Sequence, residues 1–346
     1  MAETHQKEPK RTRNATLKEV AQEAGVTSMT VSNVLNRREG EVGEATRKRV
    51  QAAIDKLGYR PHAAALQLRS RHTLSLGMLI LDDVPQFLND PFTTQVVAGL
   101  SNIASERQYS LVLQGVRSDT LREAPLLSRL QTDGVCAILS GREEQRRTVT
   151  DRLLSLNVPL VLIQEAARLP GVCYVRQDDE GGAREIGRYL VDRGALEMLF
   201  LAPGEDWPAI MHRLDGLRSV CDASGARLRV VRCGDETMAS TQTAVAAAIA
   251  NGGLPDAVVG GNDRMAMAAM AYLQQQGLRV PDDILLTGFN NFDVSAFSNP
   301  SLVTIRSDAY ELGRRAGLEL LNKIEKGAFS DEDIVLPVEF VPGNSA

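Results

Sequence analysis

The residues able to do chemistry in this 346-residue sequence point to binding and not to catalysis. The four histidines are His5, His62, His72 and His212, and none stands in a credible Ser-His-Asp order. Asp178-Asp179-Glu180 before Gly181-Gly182 could suggest a phosphate or metal loop, yet no G-x-x-x-x-G-K-[ST] occurs. Cys136, Cys173, Cys221 and Cys233 are scattered singly without a C-x-x-C pair, which suits reduced, buried thiols and no metal. Neither an enzyme nor a cofactor is expected. Binding chemistry is better represented. Arg213, near a helix start after a strand, can grip vicinal hydroxyls, a carboxylate or a phosphate, the alternative being a surface ion pair. Asn262, after Gly260-Gly261, can cap a helix or offer a donor and an acceptor to a hydroxyl. Phe92 after Pro91 can be a stacking platform or a core aromatic, and Trp207 a ligand wall or a plain surface loop residue.

Positioning these side chains falls to an alternating body. From Thr73, apolar β-branched runs at 74–80, 111–116, 135–139 and 160–163 alternate with helical stretches at 93–107, 122–131 and 143–156. A second series has strands near 173–176, 198–202, 228–232, 257–260 and 284–289, with helices near 183–193, 210–223, 241–250 and 265–276. Alternation at this spacing predicts parallel, doubly wound sheets in two subdomains. Ligands of such sheets bind at the carboxyl ends of the strands, so the cleft between the blocks is the default site.

Residues 1–73 hold 14 Lys and Arg against 8 Asp and Glu, while the remainder is acidic. A small basic head on an acidic body fits a head that approaches a polyanion. The head reads as three helices. Thr16-Leu17-Lys18-Glu19 is a capping box, and Gly25 closes the first helix. Thr27 caps a second, 28–36, which offers Ser28, Met29, Ser32 and Asn33 outward. A third spans 44–57, and Val26, Val31 and Val34 fill the angle between the first two, the geometry of a helix-turn-helix. The alanine-rich 62–69 stretch is too short to be stable as a helix without a partner. No apolar run reaches 18 residues, and residues 1–15 are polar and basic, so a cytoplasmic protein without a membrane span or secretory signal is expected.

Thr16 to Ala21, Ala24-Gly25-Val26-Thr27, Thr30 to Asn36, Glu44-Ala45-Thr46-Arg47 and Leu57 to Pro61 together resemble the head-piece of the lactose-repressor (LacI/GalR) family of bacterial transcription factors. The resemblance continues at Asn89 to Phe92, Arg213 to Gly216, Gly261 to Ala266, Thr287 to Asn290 and Pro300 to Thr304. His62, Asn33 and Gly43 depart from it, standing where Asn, Arg and a capping Ser are usual. The resemblance implies a helix-turn-helix head on a periplasmic-binding-protein-like α/β core whose two doubly wound parallel-sheet subdomains cross over near Ile163, Asn290 and Lys326. It reads 181–182 as a helix start.

The domains expected are a flexible basic tail (1–15), the DNA-binding head (16–60), a hinge helix and linker (61–72), and the effector-binding, dimerising core (73–346). The core divides into 73–163 with 291–326, and 164–290 with 327–346. DNA contacts are expected from Thr16, Thr27, Ser28, Met29, Thr30, Ser32, Asn33, Asn36, Tyr59, Arg60 and Leu68, the last wedged into the minor groove. Effector contacts are expected from Phe92, Gln164, Trp207, Arg213, Asn262 and Asn290. Asn290 replaces an Asp of many sugar-responsive relatives, which predicts greater tolerance of anionic sugar derivatives. The function implied is a ligand-responsive repressor of carbohydrate or related genes, with no cofactor. It would act as a homodimer on near-palindromic double-stranded operator DNA, and the lack of a leucine-heptad tail predicts no coiled-coil tetramer. The alternative is a cytosolic sugar-binding protein without regulatory DNA binding.

Overall fold

The computed structural model describes residues 15–35, 41–59, 72–83, 87–121, 124–128, 132–166 and 168–346. Asn36, Arg60, Leu68, most of the expected hinge and nearly all of the basic tail lie outside them. The chain divides into two compact units, Met1–Thr73 and Leu74–Ala346.

In the first unit, helices α1 (Leu17–Ala24), α2 (Ser28–Leu35) and α3 (Glu44–Leu57) enclose Val20, Ala21, Val31, Val34, Val50, Ala53 and Ile54. Local chemistry sets each boundary. The Glu19 amide donates to Thr16 Oγ1 at 3.3 Å while the Thr16 amide donates to the Glu19 carboxylate at 2.6 Å, and Gly25 takes φ 63° where the chain leaves α1. The Thr30 amide donates to Thr27 Oγ1 at 3.2 Å, capping α2. Gly43 begins α3 without a side-chain cap. One expectation is corrected: Ser32 does not face outward. It is only 6% exposed, because it falls on the stripe that carries Val31 and Val34 into the core.

The second unit alternates β1 (Ser75–Leu81), α4 (Pro91–Glu106), β2 (Ser110–Val116), β3 (Gly134–Leu139), α5 (Glu143–Leu154), β4 (Leu160–Ile163) and β5 (Cys173–Gln177). Then come α6 (Asp179–Asp192), β6 (Glu197–Ala202), α7 (Pro208–Ser224), β7 (Arg227–Arg232), α8 (Met238–Gly252), β8 (Ala257–Gly260), α9 (Asp263–Gln275) and β9 (Leu285–Thr287). The chain closes with β10 (Thr304–Arg306), α10 (Ala309–Lys326), β11 (Asp333–Leu336) and β12 (Glu339–Val341). One sheet runs β11-β5-β4-β3-β1-β2 and another β7-β6-β8-β9, every pairing within them parallel; β10 and β12 form a separate antiparallel pair. Of the expected 122–131 helix, the described residues contain a single turn, Pro125–Ser128.

The expected partition of the core is also corrected. β5 belongs to the first sheet, since Val161–Ile163 pair with Cys173–Val175 and Asp333–Leu336 pair with Tyr174–Gln177. The crossovers therefore fall after Gln177, Arg306 and Leu336 instead of near Ile163, Asn290 and Lys326, since Leu302 and Ile305 stay in the cores of the second lobe and the first-lobe core resumes only at Ala309 and Leu312. Burial supplies the reason. Cys173, Val175 and Ile334 share one core with Met78, Ile80, Cys136 and Val161, and leaving that sheet would expose them.

Candidate functional site

Parallel strands all present their carboxyl ends to the same edge, and here both sheets aim those ends at one cleft. From the first lobe come Asp82 after β1, Leu139 ending β3 and Gln164 after β4; from the second come Pro203 after β6, Glu236 after β7 and Asn262 after β8. Asp90, Phe92 and Thr93 open α4, Trp207 to Arg213 open α7, and Asn290 follows β9. The cleft encloses about 700 Å³, part of it open to solvent. All six expected effector residues line it.

Arg213 is the buried centre of a polar network. It is 3% exposed; its Nε donates to Asp179 Oδ1 at 2.8 Å, one terminal nitrogen to the Gly261 carbonyl at 2.6 Å and the other to Asn290 Oδ1 at 2.9 Å. The guanidinium lies 3.8 Å above the Phe289 ring. Asp179 is 1% exposed, and burial raises its pKa against the lowering effect of Arg213. These bonds fix the guanidinium plane and leave part of its five-donor fork for a ligand.

Two expected contacts are modified by their neighbours. Gln164, at φ 63°, donates to Gln177 Oε1 at 3.2 Å and to Asp179 Oδ2 at 3.1 Å, and accepts from the Gln177 amide at 2.9 Å. Its amide hydrogens are thereby committed to Gln177 and Asp179. Asn290 Oδ1 accepts from Arg213 and, at 3.0 Å, from Ser307 Oγ, so its carbonyl holds the arginine in place. Trp207 is not a plain surface residue, since it packs against the cores of both lobes, and Phe92 is at once a core-edge residue and a wall. Asn262 caps α9 by accepting from the Met265 amide at 3.0 Å and donates to Glu236 Oε2 at 2.8 Å.

Sequence reasoning missed Asp82, Asp90, Asp179 and Glu236. Asp179 carried a signal, an acid just past a strand, that was spent on the helix start. Glu236 carried none, because its approach depends on a residue held at φ 60°. Burial first, and then the Asp90 charge, push the Glu236 pKa up to about 7. Beside Asn290, among the described residues the lining has three acidic side chains, Asp82, Asp90 and Glu236, and one guanidinium, which is already paired with Asp179. Below the cleft, burial also lifts Asp263 to about 7, although it accepts from Thr304 Oγ1 at 2.6 Å and the Phe292 amide at 2.7 Å.

On the head, Met29 is 64% exposed, Thr16, Thr27 and Ser28 are exposed, Thr30 and Asn33 are half-buried, and Tyr59 packs at the core edge. No described helix is long and apolar enough to cross a membrane.

A three-helix head of this form and a two-lobed core with a polar cleft define a class, the ligand-responsive transcriptional regulator. Residues 16–62 match the model of bacterial regulatory proteins of the lacI family, and 188–346 that of a periplasmic binding protein-like domain. The chain is 30% identical over 318 residues to the HTH-type transcriptional repressor PurR of Aliivibrio fischeri (strain MJ11), covering 90% of this chain and 92% of that protein. It is also 30% identical over 320 residues to the HTH-type transcriptional regulator CelR of Thermobifida fusca, covering 91% and 93%. A lac repressor dimer bound to operator and the anti-inducer ONPF superposes with a TM-score of 0.84 at 26% identity, covering 96% of this chain and 99% of that one. A CelR–cellobiose complex does so with a TM-score of 0.70 at 27% identity, covering 96% and 100%. The chain belongs to the lacI family: it is a DNA-binding transcriptional regulator that responds to a small molecule, and not an enzyme.

Proposed function

We propose that the protein is a cytoplasmic homodimeric repressor of carbohydrate genes, released from or held on a near-palindromic operator by a neutral, polyhydroxylated effector of sugar type. The observation that carries the effector class is the cleft itself. Arg213 is charge-compensated by Asp179, three carboxylates line the walls, and Phe92 and Trp207 supply apolar faces. Carboxylates accept from hydroxyls and aromatic faces stack on sugar rings, whereas a phosphate or uronate would add a further negative charge beside them. In this reading Phe92, Trp207, Arg213 and Asn262 touch the ligand, with Gln164 and Asn290 supporting them. Thr16, Thr27, Ser28, Met29, Thr30, Asn33, Asn36, Tyr59 and Arg60 serve the duplex, and the segment 61–72 is the hinge whose Leu68 enters the minor groove. The CelR–cellobiose complex and the operator-bound lac repressor dimer support the sugar and the dimer.

A thermal-shift screen followed by calorimetry tests it. A neutral mono- or disaccharide should raise the melting temperature by mass action and change the protein's affinity for operators selected from random duplexes. Stabilisation only by sugar phosphates or sugar acids would sink the assignment.

A further inference from the structure

Helix α2 presents Ser28, Met29 and Asn33 outside the head's core, and one of these is already hydrogen-bonded. Asn33 Nδ2 donates to Glu41 Oε2 at 2.6 Å, Glu41 being an exposed residue two positions before Gly43. An asparagine amide carries two hydrogens and one carbonyl acceptor. The bond to Glu41 uses one hydrogen. Oδ1 and the second hydrogen have no partner among the described residues. The carboxylate also fixes which way the amide points, since the flipped amide would set Oδ1 against a carboxylate oxygen at the same short distance. One N–H and one C=O are therefore held side by side in a fixed order.

That order matches a single base. In the major groove adenine presents the N7 acceptor beside the N6 amino donor, whereas guanine presents two acceptors, cytosine an amino donor without an adjacent acceptor, and thymine an acceptor beside a methyl group. Against guanine, Oδ1 would face O6 or N7, two acceptors in contact.

We infer that Asn33 reads an adenine in each operator half-site and that Glu41 is a positioning residue which orients the Asn33 amide for that contact. The inference rests on the DNA-binding role proposed above, with α2, the second helix of the helix-turn-helix, as the one that enters the major groove.

Selection and sequencing of bound duplexes from a random library decides it, using the full chain as wild type and as Asn33→Ala, Glu41→Ala and Glu41→Gln. Circular dichroism serves to confirm that each variant keeps its helices; Glu41 is exposed, so its replacement costs no core. The wild type should favour adenine about tenfold or more at one position of each half-site, and Asn33→Ala should erase that preference alone. Glu41→Ala should reduce it at least about threefold at the same position, and Glu41→Gln, whose side-chain carbonyl can still accept, should keep most of it. A base other than adenine at the Asn33-sensitive position overturns the inference, as does an undiminished preference in Glu41→Ala. A Glu41→Ala effect confined to a different position would mean that Glu41 reads a base itself, and the positioning role falls. Enriched sequences indifferent to Asn33→Ala overturn this inference alone; no enrichment by the wild type overturns the recognition-helix reading with it.

Discussion

Arg213 cannot be removed without uncovering a second charge. Asp179, 1% exposed, would lose its guanidinium partner, and a half-broken buried pair typically costs about 3–5 kcal/mol. Arg213→Ala should therefore weaken effector binding at least about tenfold in calorimetry and also lower the urea midpoint of the core. Arg213→Lys should fail to restore binding, because an ammonium cannot reach Asp179, the Gly261 carbonyl and Asn290 together. Wild-type affinity in either variant would mean the pocket's centre has been misassigned. Glu236 sets a pH dependence. Burial and Asp90 and Asp82 raise its pKa to about 7, against the lowering effects of the Asn262 amide and Arg264. The folded state thus holds a proton that the unfolded chain has already released, so stability is greatest below the unfolded pKa and is lost as pH rises towards 7. Glu236→Gln removes that proton linkage. Relative to wild type, the variant should gain on the order of 1–2 kcal/mol between pH 5 and pH 8, measured by urea unfolding at each pH. A constant difference across that range would contradict it.

At the scale of elements, α4 and α10 pack until backbone meets backbone. A Cβ added at Gly99 would lie 2.0 Å from the Tyr310 carbonyl oxygen, and one at Gly313 2.0 Å from that of Val96. Neither glycine has a positive φ, so alanine would be acceptable to the helices themselves and would even favour them by about 1 kcal/mol. Gly99→Ala and Gly313→Ala are nevertheless expected to destabilise the core by about 1–3 kcal/mol or more, read from denaturant unfolding. A stabilised variant would show that the two helices can separate without loss. The close approach matters to the site, since α4 carries Asp90, Phe92 and Thr93 into the cleft from its first turn.

The whole molecule separates its two partners by charge. Residues 1–73 carry 14 basic against 8 acidic side chains, within a chain whose net charge is −5. Operator affinity should fall by about two orders of magnitude or more between 50 and 200 mM salt as counterions are released, measured by fluorescence anisotropy. Binding of a neutral effector over the same range should change little, because no net charge is transferred. Equal salt sensitivity of the two equilibria would contradict both the neutral ligand and the confinement of DNA contacts to the head.

What the sequence determined by itself was whatever depends on near neighbours. Thr16 with Glu19, Thr27 with Thr30 and Gly25 set the head's helices through bonds spanning three or four residues. The cleft residues were legible for a related reason: in a parallel sheet the residue after each strand always faces the same edge, so Gln164, Asn262 and Asn290 had to meet wherever the sheets did. Tertiary structure decided what depends on partners distant in the chain. β5 joined the first sheet because Ile334, some 160 residues away, completes its apolar layer, and no local pattern encodes that pairing. The charge of the cleft followed the same logic. Asn290 in isolation suggested a site that had lost a negative charge, but Asp179 is paired to Arg213 across 34 residues, and Glu236 is brought to Asn262 across 26, which makes the lining acidic.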